Sequence, residues 1–213
     1  MKKIVLLGAG GHCKVIIDII RSKNEYEIIG ITSKDKAESK IYDIPVIGND
    51  DLLKSCFASG VKYAFITLGG LGNIQVRNKL FDMAKEIGFK IPILIHDQTV
   101  VSPHASIGEG TCVMPGVIIN SGTSIGKNCI INSGAVIEHE CVIGDNIHIS
   151  PNVSIAGGVK IGNNTHIGIG STIIQSLCIG SNVTIGAGAV VINNIKSDVV
   201  AVGIPAKIIK EMI

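Results

Sequence analysis

The chain has 213 residues, enough for one large or two small domains, and a formal net charge of +2. It has no basic cluster and no stacking aromatic residues in its second half, which argues against nucleic-acid binding. No apolar run reaches the roughly 18 residues that a membrane span requires, and the six cysteines include no Cys-x-x-Cys pair. We therefore expect a cytoplasmic protein with reduced cysteines.

The two halves of the chain differ in composition. All aromatic residues (three Tyr, four Phe, no Trp) lie before residue 90, and residues 1–95 hold 24 of the 36 charged side chains. The whole chain is nevertheless 46% hydrophobic, so the second half is not a solvated linker. This asymmetry predicts two domains of different kinds, at residues 1–95 and 96–213.

Strands and helices alternate along residues 1–95. The predicted elements are a strand at 3–7, a helix at 12–21, a strand at 28–31, a helix at 50–55, a strand at 63–68, a helix at 74–87 and a last segment at 91–95. This alternation is typical of a small parallel α/β unit of the Rossmann type.

The first predicted turn, Gly8-Ala9-Gly10-Gly11-His12-Cys13-Lys14, follows a strand and opens a helix. Backbone N–H groups at such a helix start can hold a phosphate. The third glycine of a dinucleotide fingerprint would stand at Cys13, so a redox NAD site is disfavoured. A nucleotide diphosphate bound without hydride chemistry fits better, and a turn that binds nothing is the alternative.

Branched apolar residues recur at every sixth position from Val101 to Val191, in sixteen hexads without a miss. Such a period predicts short flat strands separated by tight corners, since β-branched residues suit strands and Gly or Asn suits positive-φ turns. If three hexads close one triangular coil, the sixteen hexads build about five coils, with an interior too narrow for aromatic rings. We expect the weakly charged outer faces to pack against other copies of the chain.

Charged residues are rare in this half, yet two of them flank a histidine in Glu138-His139-Glu140. A neighbouring carboxylate orients an imidazole and raises its basicity, so His139 is a candidate general base, with a solvated corner as the alternative. Gly157 follows three hexads later, which places it one predicted coil above His139. Its N–H can then stabilise a developing oxyanion.

A structural role is predicted for two further residues, His166 and Cys141. His148 and His166 are three hexads apart, which predicts that they stack on one face, with His166 structural. No His-x4-His pair supplies two zinc ligands, so a metal site is disfavoured but stays an alternative. Cys141 occupies the small inward place of its hexad, which indicates buried filler rather than a nucleophile.

The hexad pattern closely resembles the hexapeptide-repeat acyltransferases, which implies a left-handed parallel β-helix and homotrimers with active sites between subunits. Four ordered motifs narrow the resemblance. They are the Gly10-Gly11-His12 turn, the junction Leu94-Ile95-His96 to Val101-Ser102-Pro103, Ile137-Glu138-His139-Glu140-Cys141 and the terminal Val202-Gly203-Ile204-Pro205-Ala206-Lys207. Together they resemble the sugar acetyltransferases that include the sialic acid O-acetyltransferase-like proteins and the UDP-4-amino-sugar N-acetyltransferases.

This resemblance implies a role for each matching residue. The base would be His139, with Glu140 raising its basicity. The contacts to the acetyl carbonyl and acetyl-CoA would come from His148, Gly157, Ile169 and Ala187. The contacts to the nucleotide sugar would come from Gly10, Gly11, His12 and Gly69. The family often has an acidic pair after the second strand, whereas this chain has Thr32 and Ser33 as candidate substrate contacts there, with Asp35 further on.

The sequence thus predicts an acetyl-CoA-dependent N-acetyltransferase that needs no metal and acts on a nucleotide-linked 4-amino-4,6-dideoxy sugar. A sialic-acid-type O-acetyltransferase is the nearest alternative. A β-helical zinc hydratase and a non-catalytic assembly subunit are alternatives from other classes.

Overall fold

The computed structural model describes residues 1–34, 39–70 and 74–212. These residues form two compact units, Met1–Asp97 and Gln98–Ile213. Among the described residues, no helix combines the length and the apolar character needed to cross a membrane.

The first unit is built on a five-stranded sheet with the strand order β3-β4-β2-β1-β5. The strands are β1 (Lys2–Leu7), β2 (Tyr26–Thr32), β3 (Lys40–Ile41), β4 (Ile44–Gly48) and β5 (Tyr63–Ile66), and a later short strand is β6 (Leu94–Ile95). Strands β4, β2, β1 and β5 run parallel, so their carboxyl ends meet at one edge of the sheet.

Three helices accompany this sheet: α1 (Gly11–Lys23), α2 (Leu53–Ala58), which follows a 3-10 turn at Asp50–Leu52, and α3 (Ile74–Ile87). Helix α1 buries Cys13 and four isoleucines on one face, ends at Asn24 in the left-handed conformation, and carries Arg21 and Lys23 in its last turn. The basic residues stabilise the negative end of the helix dipole.

The hairpin β3–β4 is absent from the sequence prediction. It turns through Tyr42, which has a φ of 54°, and Pro45 lies within β4. A proline demotes a run to an edge strand or a non-strand when only the sequence is read. The predicted segment at 91–95 is also shorter than expected, because only Leu94–Ile95 is a strand.

The second unit is a stack of two-residue strands, one for each of the sixteen hexads. They are β7 (Val100–Val101), β8 (Ser106–Ile107), β9 (Cys112–Val113), β10 (Ile118–Ile119), β11 (Ser124–Ile125), β12 (Ile130–Ile131), β13 (Val136–Ile137), β14 (Val142–Ile143), β15 (His148–Ile149), β16 (Ser154–Ile155), β17 (Lys160–Ile161), β18 (His166–Ile167), β19 (Thr172–Ile173), β20 (Cys178–Ile179), β21 (Thr184–Ile185) and β22 (Val190–Val191). Each hexad residue is the second residue of its strand.

Parallel pairing of each strand with the third strand after it sorts these strands into three flat faces. The first face contains β7, β10, β13, β16, β19 and β22, the second contains β8, β11, β14, β17 and β20, and the third contains β9, β12, β15, β18 and β21. The third face continues into β23 (Val199–Val202), which pairs with the antiparallel β24 (Lys207–Glu211). Three hexads therefore close one coil, as the sequence predicts.

The interior of the prism is filled by the hexad residues. All of them from Val113 to Val191 are buried, whereas Val101 and Ile107, in the first coil, are half-buried. The corners are held by residues of positive φ, mostly Gly and Asn. At one corner Asn128 donates to Asn146, and Asn146 donates to Asn164, at 2.9 and 3.2 Å. This ladder fixes the vertical alignment of successive coils.

Candidate active site

His139 lies at the corner between the first and second faces, two residues after the end of β13. Its side chain is 62% exposed, and its Nδ1 is 3.6 Å from the Glu140 Oε2 atom. This distance is within ion-pair range but longer than a hydrogen bond. The Gly158 N–H donates to the His139 carbonyl oxygen at 2.9 Å, so the coil above fixes the backbone of the corner while the imidazole stays accessible.

Glu140 has a left-handed backbone, with a φ of 58°. The corresponding corner residues in neighbouring coils are Gly122, Gly158 and Ser176, which also have positive φ. A glutamate at such a position is strained, since its Cβ crowds the backbone. Backbone strain of this kind is found mainly at functional sites. The conformation of Glu140 therefore supports a functional role for its carboxylate.

Gly157 lies directly against the His139 imidazole. A Cβ atom added at Gly157 would be 2.6 Å from the ring Cε1 and 2.7 Å from Nε2. The predicted position of Gly157 one coil above His139 is therefore correct. Within the part of the chain that the structure describes, the Gly157 N–H donates to no backbone carbonyl, although its carbonyl oxygen accepts from the Ser176 N–H at 2.9 Å.

His148 begins β15 on the third face and is 5% exposed. The predicted stack is present, because His148 pairs with His166 across β15 and β18 and their ring centroids are 5.1 Å apart. Two polar residues that the sequence reasoning missed contact these rings. Asn132 Nδ2 is 3.3 Å from His148 Nε2, and Ser150 Oγ is 2.8 Å from His166 Nε2. Burial lowers the pKa of His166.

Within one chain, His139 and His148 lie on opposite sides of the prism. They are half a coil apart along the chain, and the corner of His139 lies across from the third face. Ile169 and Ala187 are exposed and stack at the corner between the third and first faces, where the Gly188 N–H donates to the Ile169 carbonyl at 2.8 Å. The chain therefore does not itself bring these predicted residues to His139.

In the first unit, packing does not require glycine at the predicted substrate-site positions. It does require glycine at the preceding position Gly8, which has a φ of 115° and where a Cβ would be 2.7 Å from Leu68 Cδ2. A Cβ added at Gly10, Gly11 or Gly69 would meet no atom within 4 Å. These three positions therefore offer open backbone, which a ligand can approach closely.

His12 follows these glycines in the first turn of α1. Burial, together with the positive charge of Arg77, lowers the pKa of His12 to about 3, so its imidazole is neutral at physiological pH. Arg77 on α3 is 1% exposed. Its Nη1 donates to the carbonyl oxygens of Ile66 and Leu68, each at 2.8 Å, which anchors the end of β5 next to Gly69.

The predicted contacts Thr32 and Ser33 lie at the carboxyl end of β2. Thr32 is completely buried, and its Oγ1 donates to the Asp50 Oδ1 atom at 2.7 Å. The Ser33 N–H donates to the Gly48 carbonyl oxygen at 2.8 Å. Asp50 was missed in the sequence reasoning, and Asp35 lies outside the described residues.

Cys141 is completely buried and burial raises the pKa of its thiol, in agreement with its interpretation as filler. Among the described residues, no three His, Cys, Asp or Glu side chains form a cluster that could hold a metal ion.

Two family models match the chain. Residues 3–84 match the family described as the PglD N-terminal domain. Residues 104–139, 122–157, 140–175 and 158–193 match the bacterial transferase hexapeptide family, described as six repeats.

Solved structures match the chain over nearly its whole length. A histidine-to-asparagine variant of perosamine N-acetyltransferase from Caulobacter crescentus, in complex with CoA and GDP-perosamine, is 36% identical, with 99% of this chain and 98% of that chain covered and a TM-score of 0.93. PerB from the same organism, with the same two ligands, is 37% identical at the same coverage, with a TM-score of 0.92. The acetyltransferase domain of PglB from Neisseria gonorrhoeae, with acetyl coenzyme A, is 33% identical, with 98% and 99% covered and a TM-score of 0.91.

These matches confirm the predicted fold class, a small Rossmann-like α/β domain followed by a left-handed parallel β-helix. The roles of the individual site residues stay predictions.

The strain at Glu140 leads to a stability prediction. Glu140→Asn should raise the thermal unfolding midpoint by about 2 °C, because asparagine adopts the left-handed conformation more readily than glutamate. The control is Glu138→Gln, at a neighbouring position without a positive φ, which should leave the midpoint unchanged. Differential scanning calorimetry measures both, and a lower midpoint for Glu140→Asn would contradict the assignment of strain.

Proposed function

The chain belongs to the nucleotide amino-sugar N-acetyltransferases of the hexapeptide-repeat class, and from this membership we propose that its acceptor is a nucleotide-linked 4-amino-4,6-dideoxy sugar and that His139 is the general base. The enzyme transfers the acetyl group of acetyl-CoA to the amino group of a nucleotide-linked amino sugar. The observation that carries this function is the 36–37% identity, over 98–99% of both chains, to an enzyme crystallised with CoA and GDP-perosamine.

The mechanism is direct transfer, without an acyl-enzyme. The sugar amine attacks the thioester carbonyl carbon, His139 accepts the amine proton, and the tetrahedral intermediate collapses with loss of the CoA thiolate. The negative charge of Glu140, with its Oε2 3.6 Å from His139 Nδ1, stabilises the imidazolium that forms. The Gly157 N–H, next to the imidazole, stabilises the oxyanion.

The nucleotide sugar binds at the carboxyl edge of the first-unit sheet. The open backbone at Gly10, Gly11 and Gly69 accommodates the diphosphate at the start of α1, where N–H groups and the helix dipole favour an anion. The neutral imidazole of His12 can donate one hydrogen bond to the ligand and accept another, and it adds no charge to the site. None of the six cysteines forms a disulfide, and the proposed location of the enzyme is the cytoplasm, where thiols are kept reduced.

The base can be tested by its removal. His139→Ala should lower kcat by about 10²–10⁴-fold, because proton transfer by a positioned base contributes that much. The measurement is CoA thiol release with GDP-, UDP- and dTDP-linked 4-amino-4,6-dideoxy sugars, with free sialic acid as the O-acetylation acceptor. His104→Ala, which removes another exposed β-helix histidine, is the matched control and should keep wild-type kcat. More than about a tenth of the wild-type rate in His139→Ala would contradict the proposal.

The contact between Gly157 and the imidazole gives a second test. Gly157→Ala should lower kcat by about 100-fold. The added methyl group displaces the His139 imidazole, and a displacement of about 1 Å in a catalytic group can reduce the rate by that factor. The unfolding midpoint should stay the same, because the displaced side chain is exposed. Gly162→Ala is the contrasting control. Its Cβ would lie 2.7 Å from the Ser181 backbone nitrogen, so it should lower the midpoint instead. Wild-type kcat in Gly157→Ala would exclude the proposed geometry.

The opposite placement of His139 and His148 supports a homotrimer with active sites between subunits. If His148 contacts an acetyl group held at His139, the two histidines must belong to different copies of the chain. Light scattering should give about three times the 22.3 kDa of one chain. Mixed assemblies of His139→Ala and His148→Ala chains should recover activity that neither variant has alone. A monomeric mass, or no recovery, would contradict the shared site.

A further inference from the structure

The carboxyl end of β2 is joined to a carboxylate from another part of the chain. Thr32, the last residue of β2, donates from its Oγ1 to the Asp50 Oδ1 at 2.7 Å. Asp50 is the first residue of the 3-10 turn that follows β4, and it is only partly exposed. An acidic group is therefore present at the end of the second strand, although the sequence has Thr32 and Ser33 there.

Gly48 makes this placement feasible. It has a φ of 140°, and a Cβ at this position would be 2.6 Å from Leu52 Cδ1. The glycine lets the chain leave β4 and turn immediately, so Asp50 faces Thr32. The neighbouring Asp51 has another role, because its backbone N–H and carboxylate are both bonded to the Asn49 side chain, at 3.2 and 2.8 Å.

Asp50 is on the same sheet edge as the glycine turn. The Gly8 N–H donates to the Thr32 carbonyl oxygen at 2.9 Å, and β2 pairs with β4 up to Gly48. Neighbouring strands are about 4.8 Å apart, so the ends of β1, β2 and β4 span about 10 Å along the edge. A nucleotide with its diphosphate at Gly10 and Gly11, as proposed above, would reach Asp50 if it extended along this edge.

In dinucleotide-binding α/β folds, an acidic residue about 20 positions after the glycine turn accepts a hydrogen bond from the ribose 2′-hydroxyl. In this chain Thr32 stands at about that distance, and Asp50, which comes later in the chain, is hydrogen-bonded to it. We propose that Asp50, oriented by Thr32, accepts a hydrogen bond from the ribose 2′-hydroxyl and makes the enzyme prefer ribonucleotide-linked over 2′-deoxyribonucleotide-linked sugars. This inference rests on the proposed function, because it needs a nucleotide at this edge. A carboxylate has about four acceptor sites, and Thr32 uses one. Thr32 is then a positioning residue.

The test is calorimetric titration of the full chain with GDP and 2′-deoxy-GDP, repeated with UDP and 2′-deoxy-UDP. The wild type should bind each ribonucleotide about tenfold more tightly, the gain expected from one hydrogen bond to a charged acceptor. Asp50→Leu, which cannot accept a hydrogen bond, should reduce the preference to less than about twofold, through weaker ribonucleotide binding. Thr32→Val, which keeps the carboxylate but not its orienting hydroxyl, should give an intermediate preference.

Two control variants separate Asp50 from two other acidic residues of the chain. Asp51→Asn and Asp35→Asn should keep the full preference, and loss of the preference in Asp35→Asn would overturn the assignment to Asp50. A preference retained in Asp50→Leu would also overturn it. If the wild type binds ribo and deoxy forms equally while sugar acetylation proceeds, only this inference fails. If no nucleoside diphosphate binds and no nucleotide sugar is acetylated, the proposed function itself fails.

Discussion

The pairing of every short strand with the third strand after it is the constraint on which the second unit depends. Each of the sixteen short strands contributes only two residues, so no strand is stable alone, and the parallel pairing of neighbours holds the coil. Because the pairing is kept from β7 to β22 without a register shift, a residue and its counterpart three hexads later are always in contact. The contact between His139 and Gly157 follows from this register, and so does the stack of His148 on His166.

In the first unit, the ends of the strands are positioned by hydrogen bonds of buried polar side chains rather than by a sequence repeat. Arg77 holds two carbonyl oxygens at the end of β5, and Thr32 holds Asp50 at the end of β2. Thr67 Oγ1 donates to the Gly8 carbonyl oxygen at 2.5 Å and joins the ends of β5 and β1. Buried polar groups need such partners, so these bonds fix loops that carry open glycines. The loops are therefore held in place while their backbone stays accessible.

The features that the sequence predicts correctly are those with a regular pattern along the chain, which are the alternation of strands and helices in the first unit and the hexads in the second. The hexads specify every strand from β7 to β22, and an interval of three hexads is enough to place Gly157 against His139. The features that the sequence does not predict are contacts without such a period. Asn132 meets His148 across 16 residues, and Thr32 meets Asp50 only because the hairpin β3–β4 lies between them. The hairpin was missed because a proline such as Pro45 argues against a strand when only the sequence is read.

The coil repeat also determines which length changes the protein can tolerate. The contacts around His139 involve the coils from Ser121 to Ser176, and coils beyond this segment contact it only through their nearest neighbours. Insertion or deletion of a whole coil of three hexads near either end changes the height of the prism and leaves the corner of His139 intact. An insertion of one residue within a strand of that segment turns the inward-facing side chain of the strand outward and the outward-facing one inward. Insertions and deletions in the β-helix therefore preserve the geometry around His139 only if they add or remove whole coils or lie at the corners.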